Sequence, residues 1–81
     1  MNHLENKKEI QTFLHNIYWL RKQFGLSKRK MAEILGISVW SLNKIERGEM
    51  PPMLRINVIN AAQKHFGISS FSLLTHWLED C

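Results

Sequence analysis

The sequence predicts a compact all-α domain of five helices. Three observations lead there. Apolar residues recur at steps of three and four, and no run alternates with period two. The glycines at positions 25, 36, 48 and 67 fall where such stretches end. The prolines occur only as the pair Pro51-Pro52, between two of the stretches. With 81 residues the chain reads as a single domain over residues 1–81, with a thin core that buries roughly 60–65% of the unfolded surface. Residues 1–6 read as a short N-terminal arm and residues 79–81 as a C-terminal tail. No internal repeat or linker interrupts the chain.

The first helix is expected from about Lys7 to Phe24. Asn6 and Glu9 have the spacing of a capping box, and Ile10, Phe13, Leu14, Ile17, Leu20 and Phe24 form one apolar stripe. The second runs from Lys28 to Leu35 behind Ser27, a good N-cap, with Leu26, Met31, Ala32 and Leu35 facing inward. The third follows Ser38 and runs from Val39 to Arg47, with Leu42 and Ile45 on one side and Asn43, Lys44 and Arg47 on the other. The fourth spans Met53 or Leu54 to His65, with Val58, Ile59, Ala62 and Phe66 as its stripe. The fifth is capped by Ser69 or Ser70, with Phe71, Leu74, Trp77 and Leu78 as its apolar face. Phe13, Phe24, Phe66 and Phe71 are all expected in the core. Trp19 lies off the main stripe, and Met50 and Met53 bracket the prolines as loop packing.

Catalysis has little to stand on. His3, His15, His65 and His76 are not paired with ligands at metal spacing, and the lone cysteine, Cys81, excludes an internal disulfide and a zinc finger. There is no phosphate loop, nucleophile elbow or HExxH. No metal, no cofactor and no enzymatic activity are therefore expected. The longest apolar run, Ile17 to Leu20, is too short to span a membrane. The first residues lack the apolar stretch of a signal peptide, so a reducing, cytoplasmic setting is the expectation.

Charge is more informative. Eleven Lys and Arg against seven Asp and Glu give +4 and favour a polyanionic partner. The excess is concentrated: Arg21, Lys22, Lys28, Arg29, Lys30, Lys44 and Arg47 lie within residues 21–47, beside only Glu33 and Glu46. Lys28-Arg29-Lys30 sits at a helix N-terminus, where the helix dipole disfavours cations. Phosphates close by would account for that placement; a solvated basic turn is the bland alternative.

The stretch Leu26 to Gly48 places two short helices around Gly36-Ile37-Ser38. A three-residue turn led by glycine sets two helices at a steep angle, with Ala32 small at their crossing and Ile37 able to plug the core. The second helix of such a unit can enter a major groove.

Here the sequence resembles the lambda-repressor-like, Cro/XRE-type helix-turn-helix domain. The resemblance is carried by Leu20-Arg21, Leu26-Ser27, Met31-Ala32, Leu35-Gly36-Ile37-Ser38, Ile45-Glu46-Arg47-Gly48, Pro52 and Phe66-Gly67-Ile68-Ser69. It covers roughly residues 14 to 74, with the motif at about residues 27–47. It implies a five-helix fold and a double-stranded DNA partner, in a transcriptional regulator of bacterial or phage type, most simply a repressor. Lys28 matches the position that touches the phosphate backbone, and Val39, Trp40, Asn43, Lys44 and Arg47 match exposed positions of the recognition helix. Val39, Trp40, Asn43 and Lys44 are the candidate base contacts, and Lys28, Arg29, Lys30 and Arg47 the candidate phosphate contacts. Arg21 and Glu46 match a structural salt bridge between the first and third helices.

One departure stands out. The family usually carries polar residues at the first recognition positions, where this chain has Val39 and Trp40. Three readings of Trp40 stand open: it stacks on the sugar-phosphate wall or a thymine methyl, it folds back onto the domain, or the face binds protein. Asn43 and Lys44 are the better hydrogen-bonding readers. A single recognition helix makes few base contacts, so a homodimer on a palindrome is expected, with Phe71, Trp77 and Leu78 as its candidate surface. Trp77 and Leu78 read alternatively as core. The alternative is an antitoxin or another interaction module whose helices mask a partner protein.

Overall fold

A computed structural model describes residues 7–49 and 56–80. They form five α-helices, α1 (Lys7–Gln23), α2 (Lys28–Leu35), α3 (Val39–Glu46), α4 (Ile56–Phe66) and α5 (Ser70–Thr75), followed by a 3-10 turn over Leu78–Asp80. No strand occurs among the described residues. Helix α1 packs against α5 and α3, while α2 packs against α3 and α4.

Local chemistry sets the boundaries. Ser27, Ser38 and Ser69 each sit in extended backbone and accept a hydrogen bond from the N–H three residues on, at 3.1, 3.0 and 3.2 Å. Gly36 ends α2 with φ of 72°, and the Ile37 N–H returns to Ala32 O at 3.0 Å. A Cβ at Gly36 would meet no neighbouring atom, so the backbone angle alone requires glycine there. Asn6, Met50, Met53, Leu54 and the proline pair lie outside the described residues, as do the expected capping box and the first turn assigned to the fourth helix.

The core consists of Phe13, Leu14, Ile17 and Leu20 from α1, Met31, Ala32 and Leu35 from α2, and Leu42 and Ile45 from α3. Val58 and Ala62 of α4, Leu73 of α5 and Leu78 complete it. Trp19, Leu26, Ile37, Ile59 and Phe66 are half-buried around it. One polar side chain, Asn16, is wholly buried within this set.

Three expectations about aromatic and apolar residues need correction. Phe24 is 59% exposed, because α1 stops at Gln23 and the chain turns away at Gly25; its ring meets Phe66 edge-on at 5.3 Å. Phe71 is 68% exposed, because the Ser69 cap sets the phase of α5 so that Leu73 points inward. Leu78 is buried and so is not a dimer-surface residue: α5 ends at Thr75, and the chain folds back to seat Leu78 in the core. Trp77, on the same return, stays half-exposed and stacks on His15 at 4.0 Å. Glu79, expected in the tail, lies in the 3-10 turn and bonds His15 at 2.8 Å.

Candidate nucleic-acid interface

The α2–turn–α3 unit is held to the body from beneath. Leu42 and Ile45 anchor α3 in the core. At its far end Arg21 of α1 donates through Nε and Nη2 to the two carboxylate oxygens of Glu46, and through Nη1 to Leu26 O at 3.0 Å. Both side chains are largely buried. The bond to Glu46 holds the Arg21 pKa above the ordinary guanidinium value, against the opposing effect of burial. Arg21 therefore remains a cation and ties three elements together. It acts beneath the surface rather than on it.

The outer face of α3 is exposed. Val39 and Trp40 open the helix with 40% and 60% of their surface accessible. Trp40 does not fold back onto the domain. Its ring is covered on one side by Lys44, whose Nζ lies 4.9 Å from the centroid. The turn that closes α3 places Gly48 in the left-handed region, with φ of 77°. The Glu49 N–H then bonds Lys44 O at 2.8 Å, which brings Glu49 back beside the cations of the helix.

The expected site residues form two groups. Lys28 Nζ donates to Asn43 Oδ1 at 2.8 Å, so an expected phosphate contact and an expected base reader form one unit across α2 and α3. An open cleft beside them is lined by Tyr18, Lys28, Asn43, Glu46 and Arg47. Arg29 is exposed. Lys30 turns away: consecutive helical residues lie about 100° apart, and its Nζ is 3.8 Å from Glu33 on the same helix. At the end of α3, Lys44 and the C-cap Arg47 both reach Glu49, at 3.4 and 3.2 Å.

Glu49 is the residue that the sequence reading omits. Its signal is spacing: one acidic side chain just past the closing glycine, five residues from Lys44 and two from Arg47. Hydrogen bonds from Arg47 and then Lys44 hold its carboxyl below the usual carboxylate range. Whatever this exposed group adds to stability is present above the ordinary carboxylate pKa, and is lost as pH falls through the lowered value. At neutral pH it screens two cations at the end of α3. Glu49→Gln is expected to strengthen binding to random duplex about fivefold near 0.15 M salt. It should also steepen the slope of log K against log salt by about one. Fluorescence anisotropy at several salt concentrations measures both, and an unchanged slope contradicts this role.

Among the described residues no cluster of His, Cys, Asp and Glu could hold a metal ion, and no helix is long and apolar enough to cross a membrane. A capped three-residue turn, a second helix standing outward and a cationic rim define a helix-turn-helix DNA-binding domain. Residues 17–69, well over half of the chain, match the family described as Helix-turn-helix, of the Cro/C1 type. The chain belongs to this family, and its fold is lambda-repressor-like. The family is one of DNA-binding transcription regulators and is generally non-enzymatic. No curated protein and no solved structure gives a significant match.

Proposed function

We propose that this protein is a sequence-specific repressor that places α3 in the major groove of double-stranded DNA. The observation that carries the reading is the Lys28–Asn43 bond, which holds the side chain proposed to read bases beside one proposed to meet phosphate. Asn43 pairs with adenine through its amide, while Lys28 and Arg29 set the register on one phosphate strand and Arg47 holds the other side of the cleft. One such helix reads few bases. Two copies on a palindrome, with half-sites about 10 bp apart or a multiple, supply the remaining specificity. Phe71 and Trp77, both exposed, are the candidate contacts of such a dimer. Residues 1–81 act in this reading as one domain without a cofactor.

The test sorts the roles. Asn43→Ala relaxes base preference, and Arg29→Ala weakens all duplexes alike. Lys28→Ala does both, because it also releases Asn43. Equal effects from Asn43→Ala and Arg29→Ala remove this assignment. Absence of salt-dependent duplex binding removes the DNA reading altogether. Sedimentation of one chain per palindromic duplex removes the dimer.

A second reading has one observation in its favour. Exposed Val39 and Trp40 suit a protein partner, such as a toxin masked by this face. Such binding depends weakly on salt, whereas DNA binding depends on it steeply.

A further inference from the structure

The serine hydroxyls at the leading turn of α3 are engaged within the protein. Ser38 Oγ accepts from the Ser41 N–H at 3.0 Å and is bonded to Ser41 Oγ at 3.2 Å. One turn on, Asn43 Oδ1 holds Lys28, and Lys44 lies between the Trp40 ring and Glu49. The leading side chains exposed on this face, Val39 and Trp40, are apolar. In the major groove thymine offers a carbonyl acceptor and a C5-methyl group, and the other unmodified bases offer only donors and acceptors. The methyl is the feature that an apolar pair can take up.

We propose that Val39 and Trp40 form a surface that receives thymine C5-methyl groups, so that the leading turn of α3 selects bases by apolar contact. The inference rests on the DNA-binding reading above. Lys44 contributes by position. With its ammonium against the ring, one turn along the same helix, it restrains the indole, which stays 60% exposed. Phosphate contacts from Lys28, Arg29 and Arg47, as in that reading, hold the apolar pair against the base edges. Asn43 keeps its own role one turn further along.

The test begins with a binding site selected from random duplexes by the full chain. Each thymine is then replaced singly by deoxyuridine, which removes the methyl and leaves every donor and acceptor in place. At one or two positions per half-site, binding is expected to weaken about fourfold, the value of burying one methyl-sized group. The salt slope should not change, because no phosphate contact is lost. In Val39→Ala or Trp40→Ala, both at exposed positions, the same replacement should lose most of its effect. Equal binding of thymine and deoxyuridine duplexes at every position, with salt dependence intact, overturns this proposal and leaves the DNA reading standing. Variants that keep the full sensitivity overturn the assignment to these two residues. Absence of salt-dependent binding to any duplex overturns both readings together.

Discussion

Asn16→Ala is expected to destabilise the fold by about 3 kcal/mol or more, the largest loss from any single polar substitution here. Asn16 is wholly buried between α1 and the C-terminal segment. Its Nδ2 donates to Leu73 O at 2.9 Å and to His76 O at 2.7 Å, and its Oδ1 accepts from the Leu78 N–H at 3.0 Å. The last carbonyls of a helix have no partner within it. The side chain of Asn16 answers that need at the end of α5 and also fixes the return that seats Leu78. Alanine leaves two acceptors and one donor without partners, each costing about 1–3 kcal/mol where water cannot reach. Asn16→Leu restores the lost volume but none of the bonds, so it should do no better. Asn16→Asp keeps the acceptor for Leu78 and turns a carboxylate towards two carbonyls. A domain of this size has total stability of about 4–12 kcal/mol, so the loss is a large share. Urea unfolding measures it, and hydrogen exchange at the Leu78 N–H reads the local part. A loss under 1 kcal/mol in Asn16→Ala contradicts this role.

Asn16 also shows why part of the fold escapes a reading of the sequence. Its polar side chain occupies the phase of the α1 stripe, three residues after Phe13 and one before Ile17, and a stripe read from apolar residues alone passes over it. The two helices of the motif were legible because period, cap and glycine agree at both: Ser27 with Gly36 and Ser38 with Gly48. The C-terminal segment was not. Phe71, Leu74, Trp77 and Leu78 have helical spacing, yet α5 is only six residues long. Its inward position is Leu73, and a return bonded to Asn16 directs the chain beyond the helix. No local pattern encodes a partner 57 to 62 residues away.

The candidate interface divides in the same way. Which residues of α3 face outward is set by helical period, and Val39, Trp40, Asn43 and Arg47 are at least partly exposed. Period does not determine which groups those side chains touch. The Lys28–Asn43 bond crosses between helices, and Glu49 returns to Lys44 and Arg47 only because Gly48 turns the chain. Sequence treats Lys28, Arg29 and Lys30 as one cationic run. The structure separates them, with Lys28 over Asn43 and Lys30 beside Glu33.

That separation sets the second large expectation. Combined replacement of Lys28, Arg29 and Arg47 by alanine should weaken binding to any duplex about a hundredfold near 0.15 M salt. Each neutralised phosphate contributes about 0.9 to the slope of log K against log salt, which is about fivefold in affinity at that concentration. Three such contacts multiply, less the share of Arg47 that Glu49 already screens, and the slope should flatten by about two to three. Lys30→Ala carries the same formal change in charge per residue, but its ammonium is directed along α2 towards Glu33. It should alter affinity less than twofold, since a screened exposed charge beyond contact distance contributes little. The comparison separates placed phosphate contacts from net charge. If total charge alone governed binding, Lys30→Ala would match each of the other single substitutions, and the geometry of the α2 N-terminus would be irrelevant to binding. If placement governs it, the three contacts carry the salt slope and Lys30 does not, whichever duplex is used.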